Sequence, residues 1–416
     1  MPRKNTAEYK WVIVVLCFLM IFLGLGFCSS NKSLYLAAIT DALKVPRSAF
    51  SLNDSFRFIS TAVVNIFFGT LIQKFGTKKL IIAGFACLIS SCIVYAVAET
   101  VYVFYIGGCL LGIGLSWTTT TMIGYVIGKW CKKNKGTVMG AVLAANGIGA
   151  AIASQIVSPI IYEEGNPFGY RNAYFLMAGI GVVMLLLILF FYCEPLKDDG
   201  QPIPKNTKTQ SWSGIEFSEV KRTPYFYLAV ICIFLTGMIL QGINGISAAH
   251  MRDAGLGSGY IATVVSVQSL VLAGSKFITG FIYDKRGLRL TVTICDLSAM
   301  IVMFVLAMIT SSGSGKIFAM LYAVFASLAL PLETVMLPIF AGDLFGEKAY
   351  TKTLGIFVSF NTAGYALGTP IMNKVFDSYG TYKPMFIVCA ILMLIITLTT
   401  QYIISAAHKK RMQVAV

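Results

Sequence analysis

The chain has 416 residues, of which 57% are hydrophobic and only 12% charged, and its mean hydropathy is +0.77. That leaves too little polar surface to cover a soluble core of this size, so the water-soluble globular classes are excluded and lipid is the expected solvent. The formal net charge of +15 has three ordinary causes (nucleic acid, anionic lipid and membrane topology), and its distribution along the chain decides among them.

A bilayer core of about 30 Å takes roughly 20 helical residues. Residues Pro2 to Lys10 are basic, and the apolar run behind them is long for a signal peptide and lacks a small-residue cleavage site. It is expected to stay as the first helix. The spans then read Trp11 to Tyr35, Ser48 to Ile72, Leu80 to Ala98, Tyr102 to Ile127, Val138 to Ile161 and Tyr174 to Cys193. A second set reads Tyr225 to Ala249, Tyr260 to Tyr283, Leu290 to Ile309, Ile317 to Phe340, Thr353 to Asn373 and Met385 to Ser405. The one long polar stretch between the sets, with its Lys-Asp-Asp-Gly and Pro-Ile-Pro runs, cannot offset its ordering entropy by burial. The expected organisation is an N-terminal six-helix half (1–194), a cytoplasmic linker (195–223) and a C-terminal six-helix half (224–416).

Lys and Arg concentrate on the cytoplasmic side of short loops. With the N-terminus inside, the inner segments hold 23 of the 33 basic residues, the outer loops hold seven, and three lie within spans: Lys32, Arg57 and Lys276. The net charge is therefore mostly topology, with both termini cytoplasmic and the cytoplasmic (plasma) membrane the expected location. Nucleic acid is not needed as a partner, and weak contact with anionic headgroups is expected. All ten cysteines fall in or near spans without Cys-x-x-Cys spacing, so neither a disulfide framework nor a metal site is expected. With two histidines and no Gly-Lys-Ser/Thr phosphate loop, no enzyme, cofactor or nucleotide-driven pump is indicated. A monomer is expected.

The spans repeat. Gly69 and Gly76 bracket six residues before Lys78 and Lys79, and Gly280 and Gly287 bracket six residues, among them Asp284, before Arg289. Gly140, Asn146 and Gly149 have the spacing of Gly355, Asn361 and Gly364. Two parallel six-helix repeats are the expected mark of a carrier with its site near the midplane.

On these motifs the chain resembles the major facilitator superfamily, whose inner loops carry Gly-x-x-x-Asp-Arg-x-Gly-Arg/Lys-Arg. The C-terminal copy keeps Gly280, Asp284, Gly287 and Arg289, with Lys285 in place of the first arginine. In the N-terminal copy Gln73 replaces the acid, which removes one side of the family's charge latch. The resemblance implies an all-α membrane protein of twelve transmembrane helices in two six-helix pseudo-repeats, with these loop residues in gating. Ser30 to Tyr35 and Lys276 to Asp284 are similar to segments of the oxalate/formate antiporter and monocarboxylate transporter branch. There the first-helix position holds a lysine or a tyrosine, and the substrate-binding arginine falls on Lys276. An eleventh-helix lysine of the oxalate carriers falls on Asn361, a departure that argues against oxalate.

A cation in hydrocarbon costs from about 2.5 to above 10 kcal/mol, so each is a site candidate. Lys276 stands about seven residues into span eight, about 10 Å at roughly 1.5 Å per residue. It serves the substrate or pairs with Glu333 or Asp296. Arg57 shares a helical face with Asp54 three residues earlier, so it either neutralises itself there or keeps donors for a carboxylate. Lys32, near the outer end of span one, either snorkels or joins the site with Tyr35. Glu333 follows Pro331 among apolar neighbours. Burial favours its neutral form and a cation its charged form, which suits either proton coupling or a fixed counterion. Asn146 and Asn361 face the centre or bridge helices, and Thr120 in the Thr118 to Thr121 run lines a cavity or returns its hydroxyl to the preceding turn. Gln241 with Gly242, Asn244 and Gly245 suggests a locally unwound seventh helix, and His250 an interfacial position.

The expected function is secondary transport of a small organic anion, a monocarboxylate or short dicarboxylate, by alternating access, as proton symport or anion exchange. The rivals are an exporter of drugs or another small polar solute, and a membrane sensor without flux.

Overall fold

The computed structural model describes residues 9–131, 135–193 and 214–415. Most of the linker, 195–213, lies outside the described residues, as do Lys132 and Lys133 of the inner basic cluster.

The first pass is α1 (Tyr9–Ile21), a π-helical turn Phe22–Phe27, a turn at 28–31 and α2 (Lys32–Leu43). The glycines of Phe-Leu-Gly-Leu-Gly-Phe explain where it widens: a side chain on Gly26 would meet the backbone of Gly149 and Ala150. π turns of this kind concentrate at functional sites. The second pass is α3 (Arg47–Ile66) with α4 (Phe68–Phe75). α5 (Thr77–Val97) follows, then α6 (Val101–Thr118) and α7 (Thr120–Trp130), which are split at Thr119. α8 (Lys135–Ile161) and α9 (Gly169–Phe191) complete the first set.

The second set begins with the short α10 (Phe217–Val220) and α11 (Pro224–Asp253). α12 (Ser258–Ala307) is two passes joined at Gly287, whose φ of 78° only glycine adopts without strain. α13 (Gly313–Ala329), α14 (Pro331–Thr334) and α15 (Met336–Tyr379) follow, with α15 broken again at Gly346, and α16 (Lys383–Ala415) ends the chain. Among the described residues nine helical stretches are long and apolar enough to cross a membrane. One of them, Ser258–Ala307, crosses twice. The polar α3–α4 pass and the part of α15 beyond Gly346 bring the total to the expected twelve.

The repeat read in the sequence has a structural counterpart. Gly76 and Gly287 share φ 78°. Asn146 accepts from Ser30 Oγ at 3.0 Å, and Asn361 donates to the Ile233 carbonyl at 3.4 Å, so each amide ties its helix to the first helix of its own set. Gly149 sits on the backbone of Phe22 and Gly364 on that of Phe234, contacts that a side chain would block.

The seventh span corrects one expectation. α11 is continuous through Gly242 and Gly245, and these glycines instead admit Gly368, Thr369 and Met372 of α15. Helices loosen at 22–31, Thr119 and Leu330 to Val335 instead. His250 is buried within the protein in the last turn of α11.

The chain forms two compact units. One holds the described residues up to 193 together with Ala248–Leu270; the other holds 214–247 and the residues from Val271 onward. The first is centred on a stack of Tyr35 on Tyr174 at 4.5 Å, which continues to Tyr95 and Phe104. The second packs Tyr225, Phe226, Phe345 and Phe357 together.

Candidate functional site

Charge in the first unit gathers where its first pass breaks. Asp54 and Arg57, three residues apart on α3, pair as their spacing predicts, with Nε 3.3 Å from Oδ1. The turn at 28–31 starts α2 at Lys32, and its ammonium reaches the same Asp54 oxygen instead of snorkelling outward. Arg57 Nη1 donates to Ser29 Oγ at 2.8 Å, and the guanidinium lies 4.1 Å from the centre of the Phe58 ring. Its Nη2 makes no hydrogen bond among the described residues, and Nε meets Asp54 without hydrogen-bond geometry.

Two cations against one carboxylate leave one positive charge unbalanced, on a side chain that is only 5% exposed. An unbalanced buried charge is costly. A carboxylate supplies the missing charge, and its two oxygens match the fork of a guanidinium.

Other expected site residues of this unit stand beside the cluster rather than in it. The Tyr35 hydroxyl donates to Met177 Sδ at 3.1 Å. Thr118 and Thr119 return their hydroxyls to the Gly114 and Leu115 carbonyls at 2.8 and 2.6 Å, and Thr120 lies exposed at the start of α7. Asn146 borders the cluster through Ser30, the neighbour of Ser29.

Charges in the second unit stay apart. Lys276, half-buried on α12, has no ion pair among the described residues, so neither the Glu333 nor the Asp296 pairing forms. Glu333 is buried beside the Tyr365 hydroxyl, and its Oε1 has no hydrogen-bond partner among the described residues. Asp296, 2% exposed, has an Oδ2 without a hydrogen-bond partner among the described residues and lines a crevice of about 460 Å³ with Thr236, Asn361 and Thr400. Gln241 is half-buried and makes no side-chain hydrogen bond among the described residues.

In the loop motifs, Gly69 lies in α4, and Gly280 in α12 ahead of the Gly287 break. Asp284 is exposed and unpaired among the described residues, so the latch its motif implies does not form. Arg289 instead donates to the Ser405 hydroxyl.

One polar cluster has no counterpart in the sequence reading. Arg47 grips Asp253 with both guanidinium ends, at 2.5 and 2.7 Å, and Arg252 pairs with Asp41 at 3.2 Å. The Arg252 guanidinium lies 4.6 Å from the centre of the Tyr162 ring. Burial holds the Tyr162 phenol above its usual range, so it stays a donor, and it donates to the Leu34 carbonyl at 2.6 Å. The adjacent opposite charges Arg252-Asp253, and Asp41 with Arg47 beside the first turn, are the only trace of this clamp in the sequence.

The model of the Major Facilitator Superfamily matches residues 14–338, and the chain belongs to that family: it is a membrane transporter rather than an enzyme. Its curated relatives vary in what they are named for. It is 23% identical to the sialic acid transporter NanX of Escherichia coli, with 80% of this chain and 79% of that one covered. Multidrug resistance protein 2 of Bacillus subtilis is 23% identical, covering 90% and 91%. The oxalate:formate antiporter of Oxalobacter formigenes is 22% identical, covering 92% and 88%. A solved structure of the nucleoside transporter NupG superposes with a TM-score of 0.80 at 12% identity over 94% of this chain and 99% of that one, which shows the fold.

Proposed function

We propose that the chain is a secondary transporter of a small organic anion, a monocarboxylate or short dicarboxylate, moved by alternating access. The observation that carries this reading is the trio of Lys32, Asp54 and Arg57, one carboxylate between a half-buried and a buried cation at a broken helix. Lys276 is the second charge partner for substrate, since no acid neutralises it among the described residues. Coupling is to a proton or to exchange of a second anion. A monomer in the plasma membrane with both termini cytoplasmic completes the proposal, and Gly76, Gly287 and their loops bend as it turns over. The relative named for oxalate and formate supports an anion, and the one named for multidrug resistance supports the exporter alternative.

The test is uptake of labelled carboxylates by purified protein in liposomes, with a neutral sugar and a lipophilic cation as controls. Saturable uptake of at least one carboxylate, competed by others and lost in Arg57→Gln, is expected. Flux of the controls without carboxylate flux would overturn the anion assignment. Carboxylate binding without flux would make the protein a sensor.

A further inference from the structure

Asp296 is the buried acid that the transport reading above does not use. It stands nine residues beyond Gly287 on α12, about 13 Å at roughly 1.5 Å per residue, which is far from either water layer. A carboxyl held at that depth normally has a cation or a set of donors. This one has no cation beside it among the described residues, and its Oδ2 has no donor there. The titratable groups that face it are two thiols, Cys232 from α11 and Cys295 on its own helix. From α16 Thr397 lies beside it, and Thr400 of α16 and Asn361 of α15 line the same crevice. No lysine, arginine or histidine faces it among the described residues.

A hydroxyl has one proton to give, and Thr397 gives it to the Met393 carbonyl at 2.7 Å. Oδ2 is buried with no hydrogen-bond partner among the described residues, and the side chain borders the crevice, so unfilled space lies beside the carboxyl. That space is walled mainly by apolar side chains, such as Ile233, Leu332 and Phe340. Thr400 is already engaged with the Cys232 thiol. Few oxygens remain to surround a metal ion, whereas a proton needs one.

We propose that the crevice of the second unit is a proton-binding site centred on Asp296, and that the proton it holds is the one coupled to anion movement. A hydronium gives up its proton to the carboxylate, an O–H bond forms, water is released, and the neutral carboxyl remains buried beside the crevice. The reverse step returns the proton to water. Glu333 is also buried with a free oxygen, but it does not border the crevice and Tyr365 supplies it with a donor, so it is the natural control.

The binding claim is tested without any substrate. Difference infrared spectra of the protein in lipid, taken between two pH values, are expected to contain a protonated-carboxyl band that Asp296→Asn removes and Glu333→Gln leaves. An unchanged band in Asp296→Asn overturns the proposal. Exchange of sodium for choline at fixed pH provides the second arm. A sodium-dependent thermal shift that disappears in Asp296→Asn overturns the proton in favour of a metal ion. The coupling claim rests on the anion-carrier reading and is separated from it in liposomes. Asp296→Asn is expected to keep exchange of labelled carboxylate at equal pH while losing the roughly tenfold accumulation that one pH unit supports. Full gradient-driven accumulation in that variant overturns the coupling role. Absence of exchange in the unmodified protein would sink the carrier reading and leave the infrared result to decide the site by itself.

Discussion

Buried charge is handled in opposite ways in the two units. In the first, Lys32 and Arg57 converge on one oxygen of Asp54, so the cluster is fixed before any ligand arrives and presents a single surplus positive charge. In the second, Lys276, Asp296 and Glu333 lie on separate stretches of helix and pair with no opposite charge among the described residues. The difference originates in local geometry: a face shared three residues apart, plus a turn that swings Lys32 inward, makes a cluster, while isolated charges on α12 and α14 do not. Preorganised charge favours a ligand of fixed sign. Unpaired charge responds to whatever enters beside it.

The sharpest way to break this comparison is to remove the surplus. Arg57→Gln leaves Lys32 and Asp54 to cancel each other, and carboxylate uptake in liposomes should fall by about two orders of magnitude, since losing one partner of a desolvated charge contact costs 2 kcal/mol or more. Lys276→Gln should abolish uptake as fully while leaving the melting temperature at or above that of the unmodified protein, because a half-buried cation with no ion pair among the described residues is lost and no partner is stranded. Uptake near the original level in either variant would remove that residue from the site.

Asp54→Asn should act on stability first. It strands two cations, at a cost of about 3 kcal/mol, read as a lower melting temperature in detergent. A carboxylate substrate then replaces the missing counterion, so its addition should raise the melting temperature more in Asp54→Asn than in the unmodified protein. An equal or smaller rise would show that substrate binds elsewhere.

These residues also mark where the sequence was legible. The twelve passes, the Gly-Asn-Gly repeat of α8 and α15 and the Asp54 to Arg57 pair all depend on spacing within one helix, and spacing is what a sequence records. The Lys32 to Asp54 contact depends on a break at 22–31 that two glycines permit but do not dictate. The loosening expected at Gly242 and Gly245 was misplaced because glycine serves close packing as readily as bending, and only the neighbouring α15 decides which. Asp253 lies 206 residues from Arg47, a distance over which no periodicity reaches.

That clamp sharpens the comparison from outside the charged cluster, since it is paired like the trio but balanced. Arg47→Ala and Asp253→Ala should each destabilise, and their double-mutant cycle should show a coupling of about 1 to 2 kcal/mol by thermal unfolding. The exchanged pair Arg47→Asp with Asp253→Arg should recover part of the loss. Additivity of the two alanine changes within about 0.5 kcal/mol would mean that the two ends of the clamp do not interact.

The smallest effect is expected at Glu333. With no cation beside it, Glu333→Gln strands no charge, and the amide oxygen still accepts from Tyr365, so stability should change by less than about 1 kcal/mol. The double change with Lys276→Gln should be additive in melting experiments, because the two side chains share no contact. Exchange of labelled carboxylate and uptake driven by a pH gradient should both persist in Glu333→Gln. If exchange persists while gradient-driven uptake disappears, the coupled proton belongs on Glu333. If both fall together with stability, Glu333 balances a cation after all, and the second unit handles its charges as the first one does.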